Sequence, residues 1–172
     1  MNYQVCPVIV MNGECNVPDK ILVTIWAMIL NEGKYDDLFY DRGIKTYEEW
    51  LEFIKSPLNY PVIIFEGETI HAIAWLNYAE RVSARCHFIT FGQYHKQIGQ
   101  TIINYWKNLR GSNGQQLIHV LIGITPEDNY KMVKLMKLIG FTVLGSIPHF
   151  CYIAKDDRMS GASIGYLDLK EA

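Results

Sequence analysis

The segment FITFGQYHKQIGQTIINYWKNL, residues 88–109, decides the fold of this chain. A short apolar run, residues 88–91, predicts a strand, and a polar turn with a glycine at each end, residues 92–99, follows it. The turn opens into a helix with one apolar face, which is formed by Ile98, Ile102, Tyr105, Trp106 and Leu109. Because the first amides of a helix lack partners within the helix, and its dipole favours negative charge, we expect an anion site next to His95 and Lys96. A plain strand–turn–helix connection explains the same residues equally well.

The composition of the chain is that of a globular protein, and we expect one domain over residues 1–172. The net charge of −2 argues against a protein that binds nucleic acid by neutralising phosphates. The longest apolar-rich run, residues 21–30, is too short to cross a bilayer, and the N-terminus lacks the basic residues of a signal peptide. The four cysteines form neither a CxxC pair nor a zinc-type cluster, so we expect free thiols and no metal site. These features predict a cytoplasmic protein that binds neither nucleic acid nor membrane.

The first half of the chain predicts two helices followed by a three-stranded meander. A first strand over residues 3–10 and a helix over residues 18–30 precede an unassigned polar and aromatic segment. Thr46 and Glu49 have the spacing of a capping box, which predicts a helix over residues 47–55. Three β-rich runs follow, over residues 61–65, 69–78 and 83–91.

The second half predicts a buried strand, a helix and two closing strands. Residues 117–124 form a nearly continuous apolar run, as expected of an interior strand. The helix that follows is expected to begin with Thr125 as its N-cap and Pro126 in its first turn, and to end at Gly140. Its lysines are expected to form a solvated face: Lys131, Lys134 and Lys137. The closing strands are expected over residues 141–153 and 164–169, with a polar loop over residues 155–163 between them.

This order of elements resembles that of the GNAT acetyltransferase superfamily. Residues 123–129, which end in Asn129, and the later Gly140-Phe141 pair are similar to the family's Asn…Gly-Phe block. The family's loop motif, Arg/Gln-x-x-Gly-x-Gly/Ala, aligns with residues 94–99, where Gly99 is the matching residue. The resemblance implies a GNAT fold, which is an α/β fold with a mixed, mostly antiparallel sheet and helices on both faces. It also implies that the protein transfers an acetyl group from acetyl-CoA to an amine by direct attack.

The same resemblance implies the residues that bind acetyl-CoA. The main-chain amides of the loop and helix start would bind the diphosphate: His95, Lys96, Gln97, Ile98, Gly99, Gln100 and Thr101. The strand edge around residues 87–91 would pair with the pantetheine arm, and the residues concerned are Phe88, Ile89 and Phe91. Asn129 would contact the cofactor or the substrate, although a helix-start residue that bonds to its local backbone fits the same position.

Two residues depart from the family pattern. Many members have a tyrosine that protonates the leaving thiolate, and the matching residue is Met136, which cannot donate a proton. The first loop glycine is replaced by Gln97, and a left-handed conformation there would cost about 1–2 kcal/mol, or about tenfold in affinity.

The general base is nominated from His87, on the strand beside the expected acyl group, and Glu80, at the preceding turn. A packed strand histidine and a solvated turn glutamate are the alternative interpretations. Cys86 and His87 cannot form a nucleophilic dyad, because adjacent strand residues point to opposite faces. The aromatic residues that precede the meander either cover the acceptor cleft or pack under a loop: Tyr35, Phe39, Tyr40 and Tyr47. Tyr152 either lines the acceptor site or is a core residue.

Two other functions fit the sequence. One is a non-catalytic GNAT-like module with a structural or partner-binding role, similar to small divergent proteins that phages encode. The other is a CoA-binding sensor that transfers no acyl group. The acceptor amine, the acyl chain and the oligomeric state stay open at this point.

Overall fold

The structure, a computed structural model, describes residues 2–93 and 96–170. Its strands are β1 (Gln4–Pro7), β2 (Val10–Met11), β3 (Glu14–Cys15), β4 (Tyr60–Glu66), β5 (Thr69–Glu80), β6 (Ser83–Thr90), β7 (Val120–Pro126), β8 (Thr142–Ile153) and β9 (Arg158–Asp168). Its helices are α1 (Asp19–Asn31), α2 (Tyr35–Leu38), α3 (Tyr47–Lys55), α4 (Lys96–Lys107) and α5 (Tyr130–Leu138).

A seven-stranded sheet with the order β1-β4-β5-β6-β7-β9-β8 forms the centre of the fold. All its neighbouring strands are antiparallel except β6 and β7, which are parallel. The strands β2 and β3 form a separate hairpin, whose turn residues Asn12 and Gly13 have positive φ values of 54° and 83°. The predicted mixed, mostly antiparallel sheet is therefore confirmed.

Helices pack on both faces of this sheet, because alternate residues of each strand enter different cores. On one face, Ile63 of β4 and Ile73 of β5 pack with residues of α1 and α3. On the other face, Ile64 and Ala74 pack with residues of α4 and α5. We call these the first core and the second core.

Tryptophans dominate the first core. Trp26 of α1 stacks on Trp50 of α3, with ring centroids 5.9 Å apart, and Trp50 meets Trp75 of β5 edge-on at 6.0 Å. The predicted capping box at the start of α3 is confirmed, since Thr46 and Glu49 exchange side-chain and backbone hydrogen bonds. The helix α3 therefore begins and ends at the predicted residues.

The predicted start of α5 is wrong. Pro126 continues β7, where it pairs with Ala162, and the helix begins four residues later, at Tyr130, with Asn129 as its N-cap. The side-chain oxygen of Asn129 accepts a hydrogen bond from the Met132 amide at 3.1 Å. Proline is tolerated at the end of this strand because the strand needs no donor there.

The predicted loop over residues 155–163 is also wrong, because β9 begins at Arg158. Four small residues of β9 are buried between β7 and β8: Ser160, Gly161, Ala162 and Ser163. Two other strands are shorter than predicted, since β1 ends at Pro7 and β7 starts at Val120.

Candidate functional site

The parallel strands β6 and β7 separate after three residue pairs. Ser83, Ala84 and Arg85 pair with Val120, Leu121 and Ile122. Beyond this level no pairing between the two strands occurs, although β6 continues to Thr90 and β7 to Pro126. At the point of separation the thiol of Cys86 donates to the Ile122 carbonyl oxygen, with 3.6 Å between sulfur and oxygen. We call the gap between residues 86–90 and residues 123–126 the cleft.

One edge of the cleft carries main-chain groups that do not pair with β5. The Phe91 amide donates to the His71 carbonyl of the neighbouring chain segment at 2.8 Å, and Ala72 lies opposite Thr90. Bonded and non-bonded pairs alternate in an antiparallel ladder, so the main-chain groups of Phe88 and Thr90 point away from β5 and into the cleft.

The three predicted strand residues differ in their placement. Phe88 and Ile89 border the cleft cavity described below. Phe91 is buried in the first core, and its amide is already bonded to His71.

A cavity of about 400 Å³ lies between the end of β6 and helix α5. Its border is mainly apolar, and the charged residues on it are three lysines and one aspartate: Lys34, Lys131, Lys134 and Asp37. Met132, Leu135 and Leu138 of α5 form the wall opposite β6. Lys131, Lys134 and Lys137 are exposed, as predicted, and the first two also border this cavity.

Helix α4 begins beside the end of β6, as predicted. Ile98 and Gly99 are buried in contact with the second core, whereas Lys96, Gln97 and Gln100 are exposed and Thr101 is half-buried. The amides of a first helical turn have no partner within the helix. The predicted residue His95 lies outside the described residues.

Asn129 borders the same cavity. Its side-chain oxygen caps α5, so the bonding to local backbone that the sequence left open is present. Among the described residues its side-chain NH₂ group has no partner. The side-chain oxygen of Asn129 is therefore used by the helix cap, and its NH₂ group is available for a ligand.

Met136 is a core residue. Its side chain is buried in the second core and lies against two glycines of neighbouring strands. A Cβ atom at Gly123 would lie 2.8 Å from the Met136 Cε atom, and one at Gly165 would lie 2.7 Å from it. No proton donor stands at this position of α5.

His87 lies on the side of β6 that faces the first core. Its ring stacks on Trp75 at 5.2 Å with an interplanar angle of 8°, and its Nε2 atom is 3.1 Å from Oδ1 of Asn77. Burial, with a smaller contribution from the Arg85 charge, lowers the pKa of His87 to about 4. His87 is therefore neutral at pH 7, and because Nε2 donates to Asn77, Nδ1 is its basic atom.

The structure does not bring Glu80 and His87 together. Glu80 is exposed at the end of β5, opposite Ser83, which is about 13 Å along β6 from His87. Cys86 is not beside the His87 ring either, because it packs in the second core and bonds to Ile122. The pKa of its thiol is raised by burial to about 12.

The aromatic residues near α2 mainly pack under the connecting loop. Tyr35 and Phe39 contact Trp26 of the first core, and the Tyr35 hydroxyl donates to the Ile44 carbonyl at 2.6 Å. Tyr40 shares a side-chain hydrogen bond with Cys151, and burial raises the pKa of its hydroxyl. Tyr152 is partly exposed and donates to Asp157 at 2.8 Å.

Sequence reasoning missed Lys34 and Glu32, which contact the end of β6. Lys34 donates to the Thr90 carbonyl, and Glu32 accepts from the Gly92 amide. These contacts join positions 56 and 60 residues apart, so no local pattern marks them.

Among the described residues, no helix has the length and hydropathy needed to span a membrane.

Comparison by sequence gives no relative, whereas comparison by structure gives many. No protein-family model matches the chain, and no curated protein is significantly similar to it. The spermidine N-acetyltransferase of Vibrio cholerae, solved with CoA and spermine, is 14% identical and matches with a TM-score of 0.69 over 96% of each chain. The ribosomal-protein-S5-alanine acetyltransferase of Vibrio fischeri is 15% identical, with a TM-score of 0.69 over 98% of this chain and 94% of that one. An N-acetyltransferase of Staphylococcus aureus is 14% identical, with a TM-score of 0.68 over 98% of this chain and 99% of that one. At these identities the matches establish a shared fold.

Proposed function

We propose, from the premise that this chain has the GNAT fold, that it is an acyl-CoA-dependent N-acyltransferase that transfers an acetyl group to an amine. The observation that carries the proposal is the cleft between β6 and β7, with the main-chain groups of Phe88 and Thr90 on its edge. An extended amide-containing chain can hydrogen-bond to such an edge as an added strand does. The pantetheine arm of CoA is a chain of this kind.

The residues around the cleft suit the rest of the cofactor. The first-turn amides of α4, from Lys96 to Gly99, are donors for a diphosphate, and the dipole of a helix favours negative charge at this end. Two lysines of α5, Lys131 and Lys134, add positive charge on the opposite wall. The NH₂ group of Asn129, which borders the same cavity, is a further side-chain donor for the cofactor.

When bound, acetyl-CoA would supply an activated thioester. The protein then has to hold the amine nitrogen next to the carbonyl carbon of the thioester. It also has to accept the proton that the amine loses. Positioning alone contributes about 7–11 kcal/mol to such a reaction, and a general base about 10²–10⁴-fold in rate. We propose that Nδ1 of His87 accepts the proton of the amine. This atom is unprotonated at pH 7, but it is weakly basic because the pKa of His87 is lowered. Glu80, exposed and distant, is the weaker candidate.

The buried Met136 favours a second candidate function, CoA binding without transfer. A protein without an acid near the leaving thiolate transfers slowly, because the thiolate must take its proton from water or from the amine. The two functions make the same prediction for cofactor binding and opposite predictions for turnover.

Thermal unfolding with acetyl-CoA tests the proposal. For a Kd near 10 μM, 1 mM ligand would raise the free energy of unfolding by about 2.7 kcal/mol, which is a rise in Tm of about 5–10 °C. The variant L138W fills the cavity from its exposed border and should reduce the rise, whereas L144W, at an exposed leucine of β8 outside the cavity, should not.

Turnover is then measured as CoA release with spermidine, spermine and peptides with a free N-terminal alanine. These acceptors are chosen because the structural neighbours include a spermidine N-acetyltransferase and a ribosomal-protein-S5-alanine acetyltransferase. No rise in Tm with acetyl-CoA would exclude both functions. A rise without CoA release would leave binding alone.

A further inference from the structure

Two charged side chains of the α1–α2 connection contact the entrance of the cleft. The carboxylate of Glu32, at the C-terminal end of α1, accepts a hydrogen bond from the Gly92 amide, with distances of 3.2 and 3.1 Å to its two oxygens. The Lys34 ammonium lies 2.5 Å from the same carboxylate and donates to the carbonyl oxygen of Thr90. It also lies 5.6 Å from the centre of the Phe91 ring.

The two backbone groups held in this way belong to the proposed cofactor site. The Thr90 carbonyl is an acceptor on the free edge of the cleft, and the Gly92 amide is the donor at the start of the turn that leads to α4. Lys34 and Glu32 thus take the hydrogen-bonding places that an amide N–H and a phosphate oxygen of a ligand would take. A salt bridge confined to the surface would contact neither the Thr90 carbonyl nor the Gly92 amide.

The position of Lys34 also gives it access to a ligand. It borders the cavity together with Lys131 and Lys134, and its side chain is 24% exposed. Its partner Glu32 is the one acidic side chain in contact with it among the described residues. A phosphate oxygen bound at the Gly92 amide, in place of the Glu32 carboxylate, would lie close to the Lys34 ammonium.

We propose that Lys34 is a cofactor-binding residue, which brings a positive charge from the α1–α2 connection to the diphosphate of an acyl-CoA. Glu32 is its partner while no ligand is bound: it lies against the ammonium and occupies the Gly92 amide, and the diphosphate would replace it at both. This inference rests on the proposed function, because it needs a CoA ligand in the cleft.

The test compares binding of CoA and of pantetheine, which shares the arm but has no phosphate, by isothermal titration calorimetry. The variant K34M keeps the length of the stem and removes the charge. It should weaken CoA binding about tenfold or more, because a hydrogen bond to a charged group is lost. It should not weaken pantetheine binding, because the Thr90 carbonyl that Lys34 occupies becomes free for the arm. The control K137M removes an exposed lysine of α5 that does not border the cavity, and it should bind both ligands as the wild type does.

Two more variants keep the test decisive. K34R retains the charge and should bind CoA within about threefold of the wild type. E32Q retains an oxygen for the Gly92 amide but removes the negative charge beside the diphosphate, so it should bind CoA several-fold more tightly. Melting temperatures of all variants without ligand identify any that fail to fold, in which case the K34R and E32Q results carry the test.

Equal CoA binding by K34M and the wild type would overturn the inference and leave the proposed function intact. So would an equal loss for CoA and pantetheine, which would mean that Lys34 only supports the β6 edge. A wild-type protein that binds no CoA would overturn the proposed function itself, and the inference with it.

Discussion

The side chain of Met136 lies against the backbone of Gly123, at a distance that leaves no room for a Cβ atom on the glycine. The same methyl group covers Gly165 on the next strand. Two glycines on neighbouring strands thus form the floor of a socket for one flexible side chain. The position at which the resemblance predicts a proton-donating tyrosine is, in this chain, part of the second core.

A tyrosine introduced at this position should therefore fail to restore an acid. Its rigid ring is longer than the methionine side chain and the socket is full, so M136Y should lower the free energy of unfolding by about 1–3 kcal/mol. Urea unfolding measures the change, and M159Y, at a half-exposed residue of β9, is the control that should stay near the wild-type value. A stable M136Y variant with faster turnover would mean that the ring reaches the cleft.

His87 should make stability depend on pH. Its pKa is about 4 in the folded protein and about 6.5 when unfolded, so the unfolded chain binds the proton more strongly between these values. The contribution of neutral His87 to the free energy of unfolding is fully present above pH 6.5. It is lost as the pH falls toward 4, by up to about 3 kcal/mol.

Chemical unfolding at several pH values between 4 and 7.5 measures this loss. H87Q keeps a side-chain donor for Asn77 and cannot titrate, so its stability should fall less steeply over this range. H149Q, at an exposed histidine of β8, should follow the wild-type curve. Parallel curves for the wild type and H87Q would mean that another group carries the dependence.

Cys86 should react more slowly than Cys15. Burial raises its pKa to about 12, and its proton is held by the Ile122 carbonyl, so almost no thiolate forms at pH 8. Iodoacetamide labelling of the folded protein at pH 8, read by mass spectrometry, should modify half-buried Cys15 well before Cys86. Labelling in urea should remove the difference. Equal rates in the folded protein would show that the strands open at this level.

The parts of the fold that local chemistry determines were predictable from the sequence. The capping box of Thr46 and Glu49 determines where α3 begins, because both of its hydrogen bonds lie within four residues. The start of α5 was mispredicted because Thr125-Pro126 carries the same local signals as Asn129. The choice between them is made by β9, whose Ala162 pairs with Pro126.

The candidate site was predictable to the same extent. The strand and the helix of the segment 88–109 were predicted from their periodicity, whereas Asn129 was proposed from the resemblance of residues 123–141 to the family's Asn…Gly-Phe block. The residues 160–163 of β9 are buried because β7 and β8 lie on either side of them. A run of serine, glycine and alanine resembles a loop in the sequence, where these neighbouring strands cannot be seen. Lys34 was missed for the same reason, since its partner Thr90 lies 56 residues away.

Asn129 offers a test that separates its two roles. Serine at this position can still accept the Met132 amide and cap α5, but it has no NH₂ group, so N129S should keep the stability of the wild type within about 0.5 kcal/mol. If the NH₂ group contacts the cofactor, N129S should bind CoA about threefold to tenfold more weakly, which is the value of one neutral hydrogen bond. N129A loses the cap as well, and should be less stable by about 1 kcal/mol. Calorimetry with CoA and urea unfolding of both variants measure the two effects, and unchanged CoA affinity in N129S would limit Asn129 to the helix.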